Sequence, residues 1–167
     1  MFERQAVDLD SYVQRSQVGP CFICEIVNRG AKYYEHHIIY ENDTAIVFLN
    51  KYPTLYGYTL VAPREHREQA MGDFTLDEYL TLQKLIYRVA EAIRQEVPTE
   101  RLYILTLGSQ QGNRHVHWHI APLPPGVPYE QQQVEALKLE NGVLKVPEEE
   151  MAVLAERIRR RMDSLPL

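Results

Sequence analysis

Seven residues constrain this chain more than any others: in His115-Val116-His117-Trp118-His119-Ile120-Ala121 the first six alternate imidazole with apolar side chains. A period of two is that of a β-strand. It sends the three histidines to one face, about 6.6 Å apart, while Val116, Trp118 and Ile120 enter a core on the other. A helix would turn His117 away from His115 and His119, so the segment reads as a strand. Each imidazole brings two ring nitrogens that need partners and a charge set by its surroundings. Three readings are open for such a row: a polar strand that happens to use histidine, a three-histidine metal site of a zinc-dependent hydrolase, and nucleophilic or acid–base chemistry. The preceding loop, Gly108-Ser109-Gln110-Gln111-Gly112-Asn113-Arg114, favours the last. Its glycines free backbone N–H groups, and its amides and hydroxyl add donors that suit a phosphate. The middle imidazole is then placed to attack phosphorus in line and form a covalent phospho-histidine.

The rest of the chain supplies a frame for that strand. Ile38-Ile39-Tyr40 and Thr44 to Leu49 flank a polar turn and read as a hairpin, Tyr58 to Ala62 as a third strand stopped by Pro63, and Leu102 to Leu107 as a fourth before the histidine strand. Thr75 and Glu78 have capping-box spacing. Behind them, apolar residues from Leu76 to Val97 repeat at helical spacing until Pro98, which predicts a helix of five or six turns. Pro147 followed by Glu148-Glu149-Glu150, with Arg159-Arg160-Arg161 downstream, has the charge order that a helix dipole favours. Strands joined by hairpins and loops, without βαβ alternation, give an α+β fold: an antiparallel five-stranded sheet with one long helix packed on it and a C-terminal helix. The expected organisation is an N-terminal arm over 1–20 that is loosely attached and holds one short helix, a core over 21–122 and a C-terminal extension over 123–167. Eighteen basic against 23 acidic residues leave a net charge of −5, which disfavours a nucleic-acid partner. No signal peptide or membrane-spanning run is present, and a cytoplasmic location is expected.

The histidine row resembles the H-φ-H-φ-H-φ-φ signature of the histidine triad (HIT) family, and the likeness extends in order and spacing over residues 21–122. Cys21-Phe22-Ile23-Cys24 resembles the start of many bacterial members. Phe48-Leu49-Asn50-Lys51-Tyr52-Pro53 resembles their nucleoside-binding strand end, and Gly57-Tyr58-Thr59-Leu60-Val61-Ala62-Pro63-Arg64-Glu65-His66 their G-H-x-L-V-x-P-x-x-H segment. The resemblance implies a hydrolase or nucleotidyl transferase acting at the α-phosphate of dinucleoside polyphosphates or nucleoside phosphoramidates. In that scheme His117 is the nucleophile, His119 contacts the phosphate oxygens, Asn50 binds the ribose, Phe48 lines the base pocket, and Gln111 and Ser109 touch phosphate. It implies a homodimer as well. Asn50, where the phosphoramidase side of the family usually has Asp, tilts the expectation toward the diadenosine polyphosphate side. Tyr58 departs from the usual histidine and the phosphate loop is short; both favour the alternative of a non-catalytic nucleotide-binding module.

Cys21, Cys24, His66 and His115 together form an S₂N₂ set, the usual composition of a closed structural zinc site. Related galactose-1-phosphate uridylyltransferases resemble this chain in all four positions, so a structural zinc is expected and an organic cofactor is not. His36 and His37 are expected at the surface.

Overall fold

The computed structural model describes residues 2–166. In chain order it holds β1 (Arg4–Gln5), α1 (Leu9–Val18), α2 (Phe22–Val27), α3 (Ala31–Tyr34), β2 (Ile38–Glu41), β3 (Ala45–Leu49), β4 (Thr59–Pro63), α4 (Leu76–Glu96), β5 (Arg101–Thr106), β6 (Trp118–Leu123), α5 (Val134–Leu137), β7 (Val143–Leu144) and α6 (Glu148–Ser164). Five strands form one antiparallel sheet in the order β2-β3-β4-β6-β5, as the sequence predicts. The histidine strand starts later than its pattern suggests. Residues 115–117 lie outside the ladder, with a bend at His115, because Val116 N–H donates to Arg67 O and the His117 carbonyl accepts from the Thr106 hydroxyl. Pro63 does not stop β4 early; it closes the strand opposite Ala45.

Alternation along β6 divides the core. Trp118 and Ile120 pack with Val47 and Val61 beneath α4 and α6, while Ala121 and Leu123 join Phe48, Leu60 and Ala62 against Ile23 and Ile26 of α2. Both faces of the sheet are therefore covered, and each fully buried aliphatic side chain contributes about 1.5–3 kcal/mol. The capping box at the head of α4 is made: Glu78 N–H donates to Thr75 Oγ1 at 3.2 Å, and Thr75 N–H to the Glu78 carboxylate at 2.8 Å. Acids at the start of α6 and Arg161 in its last turn follow the dipole order, and its Leu154, Ile158 and Met162 face α4.

The first twenty residues hold more than the one short helix expected of them, and they are fastened. Strand β1 pairs with β7, Arg4 Nη1 donates to Gly142 O at 2.8 Å and Arg4 Nη2 to Thr54 O at 2.9 Å, while Leu144 N–H donates to Pro53 O. Gly142 has φ of 80°, and a Cβ there would lie 2.8 Å from Gln5 O, so the close approach of the two strands requires glycine. This clip ties the arm and the C-terminal extension to the loop that follows β3. Among the described residues no helix is long and apolar enough to cross a membrane.

Candidate active site and candidate metal centre

The approach to β6 carries the chemistry. His115 and His117 are almost fully buried, and His119 is half-buried. His117 Nδ1 lies 2.7 Å from His115 O. A carbonyl only accepts, so Nδ1 carries the proton and Nε2 the lone pair. Nε2 makes no hydrogen bond among the described residues and is not sealed from water, because His117 lines the wall of a cleft of about 710 Å³. Burial lowers the pKa of all three imidazoles, to about 4 for His115 and about 3 for His119. Neutral rings follow at ordinary pH, and a neutral ring is what a nucleophilic Nε2 needs.

His119 sits with its ring centroid 4.8 Å from that of His117, and its Nδ1 lies 3.0 Å from the Tyr58 hydroxyl. Burial pushes the Tyr58 pKa up to about 12, so the phenol keeps its proton. Asn50 and Gln111 line the same cleft. Asn50 Oδ1 accepts from Tyr52 N–H at 2.9 Å, which leaves its amide N–H₂ group for a ligand acceptor. In the loop between β5 and β6, Gln111 N–H donates to Ser109 Oγ and Asn113 takes a left-handed φ of 55°. A Cβ at Gly112 would stand 3.0 Å from Ser16 O of α1, so glycine here lets the arm helix lie against the loop. Ser109 faces a smaller hollow of about 300 Å³, which His117 and His119 also line.

Phe48 does not reach either hollow. It is fully buried behind Phe22 and His36, whose rings take the cleft wall in its place. His36 is correspondingly not a surface residue: its Nδ1 bonds Lys32 O at 2.6 Å, it stacks near Phe22, and burial lowers its pKa. His37 is partly buried and reaches Glu148 at the start of α6, 2.7 Å away. Tyr12 of α1 also lines the cleft, edge-on to Tyr52 and in reach of Asn113. Nothing in the sequence marked Tyr12 or Phe22 as site residues, because each lies in an element whose path depends on tertiary docking.

The four metal-ligand candidates converge. Their donor atoms lie within 4.8 Å of one another. Cys21 Sγ and Cys24 Sγ stand 3.4 and 3.5 Å from His115 Nδ1, and Cys24 Sγ stands 3.3 Å from His66 Nδ1. A tetrahedral ion with bonds of about 2.3 Å to sulfur and 2.05 Å to nitrogen sets an S···N edge of about 3.5 Å, so this set has zinc dimensions. The outer nitrogens are braced as zinc-bound imidazoles usually are, His115 Nε2 by Pro63 O at 2.8 Å and His66 Nε2 by the Glu68 carboxylate at 3.1 Å. Cys21 caps α2, accepting from Cys24 N–H, which turns both sulfurs the same way. Burial, with the neighbouring Cys21, raises the Cys24 pKa to about 11, so two adjacent thiolates here call for a cation.

A family model described as HIT domain matches residues 32–125. An uncharacterized HIT-like protein from Saccharolobus solfataricus is 32% identical over 105 residues, which cover 61% of this chain and 73% of that protein. Among solved structures, a hypothetical histidine triad nucleotide-binding protein from Sulfolobus tokodaii superposes with a TM-score of 0.67 at 28% identity, covering 86% of this chain and 92% of that one. A zinc-bound histidine triad family protein from Mycobacterium smegmatis superposes with a TM-score of 0.65 at 21% identity, over 86% of this chain and 93% of the other.

Proposed function

The chain belongs to the HIT domain family, and we propose that it is a hydrolase or nucleotidyl transferase that cleaves at the α-phosphate of a nucleotide through a nucleotidyl-histidine on His117. One observation carries this reading: the Nδ1–H of His117 is committed to the His115 carbonyl, so the lone pair of Nε2 faces the cleft. The nucleoside lies along Phe22 and His36 with Asn50 at the ribose. His117 Nε2 attacks phosphorus, the bond to the leaving group breaks with its electron pair, and water or another acceptor then displaces the imidazole. Backbone and amide donors of the Ser109–Asn113 loop, with Gln111 foremost, hold the phosphoryl oxygens, and His119 stands beside them. Two leaving-group classes fit the triad, a nucleoside polyphosphate and an amine.

Cys21, Cys24, His66 and His115 would hold a zinc ion that would serve as a structural clamp outside the bond changes. The ring of His115 would be oriented by it, and the His115 carbonyl fixes the tautomer of His117. That allocation leaves His115 Nδ1 on the sulfur side, which argues against a catalytic ion held by all three triad histidines.

Among the described residues the β5 edge of the sheet is unpaired, and Ile104 on it and Leu107 just beyond it are exposed, as are Leu80 and Tyr87 on α4. An open strand edge with apolar side chains invites a second copy. The chain in this reading forms a homodimer: sedimentation at micromolar concentration gives twice the 19.5 kDa chain mass, and a monomer at all concentrations contradicts it.

Turnover tests the activity. Incubation with adenosine 5′-phosphoramidate and with diadenosine tetraphosphate yields AMP from at least one of them. AMP binding by calorimetry without product from either would assign the pocket to a nucleotide-binding module, the reading that Tyr58 in place of histidine favours.

A further inference from the structure

The tautomer of His117 depends on a contact that a regular strand does not favour. In a ladder the carbonyls lie in the plane of the sheet and the side chains stand across it, so a ring is badly placed to reach the carbonyl two residues before its own. His117 Nδ1 meets His115 O at 2.7 Å because the backbone bends at His115 and the ladder begins only at Trp118. Regular pairing would carry residues 115–117 onward from the register of Trp118 with Thr106 and Val61. Two contacts from outside the ladder occupy the backbone groups that such pairing would use. Val116 N–H donates to Arg67 O at 2.7 Å, and the Thr106 hydroxyl donates to His117 O at 2.7 Å.

Arg67 is itself held from three sides. Its guanidinium donates to Glu65 at 2.7 and 3.1 Å and to Glu78 at 2.8 and 3.0 Å, and it lies 4.6 Å from the centroid of the Phe74 ring. Glu78 closes the capping box at the head of α4, and Phe74 sits edge-on to Trp118 at 6.1 Å. A planar fork can engage two carboxylates and an aromatic face together, which a compact ammonium cannot. One residue thus joins the head of the long helix, through its side chain, to the backbone beside His117, through its carbonyl. Thr106 ends β5 and is exposed, and its hydroxyl makes this one hydrogen bond among the described residues. Neither residue belongs to the two buried clusters of the core, and neither lines the cleft or the smaller hollow.

We propose that Arg67 and Thr106 are positioning residues for His117: together they hold residues 115–117 off the ladder, so that the His115 carbonyl meets Nδ1 and Nε2 stays turned to the cleft. The proposal rests on the nucleotidyl-histidine reading and adds to it two residues that touch neither the cleft nor the candidate metal donors. Loss of either contact lets the segment relax toward regular pairing. The His115 carbonyl then leaves Nδ1, and the ring divides between its two tautomers, only one of which has its lone pair at Nε2. A misplacement of about 1 Å costs about 10²-fold in rate. The loss falls on kcat, because the walls that seat the nucleoside, Phe22, His36 and Asn50, stand on other elements.

The test uses the full chain, purified without chelator, with adenosine 5′-phosphoramidate or diadenosine tetraphosphate, whichever the wild type cleaves. Thr106→Val keeps the shape and removes the hydroxyl; its kcat is expected to fall about tenfold or more, with KM within about twofold of the wild type. Thr106→Ser restores the donor and is expected to restore kcat. Arg67→Met keeps a stem against Phe74 and removes the fork; kcat falls to a similar extent at the wild-type zinc content, which separates the effect from damage to the neighbouring His66. A second readout needs no turnover. In protein labelled with nitrogen-15 histidine, and assigned against His117→Asn, His117 of the wild type shows a protonated Nδ1 and a bare Nε2, and the two signals converge in Thr106→Val and Arg67→Met. Unchanged nitrogen signals, unchanged kcat in a folded variant, or a fall in Thr106→Ser equal to that in Thr106→Val overturns the positioning role while leaving nucleotidyl transfer standing. Loss of zinc from Arg67→Met removes Arg67 from the proposal, and if that variant does not fold, the Thr106 pair decides. No cleavage of either compound by the wild type overturns both readings.

Discussion

Replacing His117 by Asn lowers turnover of whichever adenosine substrate the wild-type chain accepts by at least about 10⁴-fold, the scale on which loss of a covalent nucleophile registers. Asparagine keeps an N–H donor for the His115 carbonyl but has no ring nitrogen to place at phosphorus. The fold should survive, because His117 makes one side-chain hydrogen bond and the neighbouring Val116 and Trp118 supply the packing. Unchanged far-ultraviolet circular dichroism and Trp118 fluorescence check that point. Retained turnover in a folded variant would remove His117 from the reaction.

The second large effect concerns the clamp at Cys21, Cys24, His66 and His115. Protein purified without chelator carries one zinc per chain by elemental analysis, and Cys21→Ser with Cys24→Ser carries none. The double variant loses stability of about 4 kcal/mol, less than the full worth of a structural zinc in a small peptide because this chain has its own core. For a domain of this size that is a fall in Tm of about 8–16 °C, read by thermal denaturation. Turnover falls too, since the His115 backbone that holds His117 Nδ1 loses the anchor of its ring. Wild-type protein without zinc, or a double variant with an unaltered Tm, would reduce the cluster to four hydrogen-bonded side chains.

Local rules made much of this molecule legible. Val116, Trp118 and Ile120 are buried as their alternation with histidine requires, and Thr75 and Glu78 close the capping box that their spacing announces. The grouping of Cys21 and Cys24 with His66 and His115 was readable from the resemblance to related uridylyltransferases in all four positions, since donor chemistry alone does not choose two imidazoles among six, and the structure brings the four donors together. Features built by docking were not. The pattern at 115–117 looks like strand, yet the ladder begins at Trp118 because Val116 and His117 spend their backbone groups on Arg67 and Thr106. Two-residue strands at Arg4–Gln5 and Val143–Leu144 carry no periodicity, so the clip leaves no trace in the sequence. Phe48 looked like a pocket residue and His36 like a surface one. The packing of α2 and α3 over β3 reverses them, burying the phenylalanine and setting the imidazole in the wall.

The account stands on one atom, Nε2 of His117. Mass spectrometry of the wild-type protein mixed with adenosine 5′-phosphoramidate, quenched in alkali within the first turnover and digested, addresses it directly. The peptide that contains His117 is predicted to gain the mass of AMP less one water, and the gain should be absent from His117→Asn. AMP release with no adduct, or an adduct on a different residue, would contradict it.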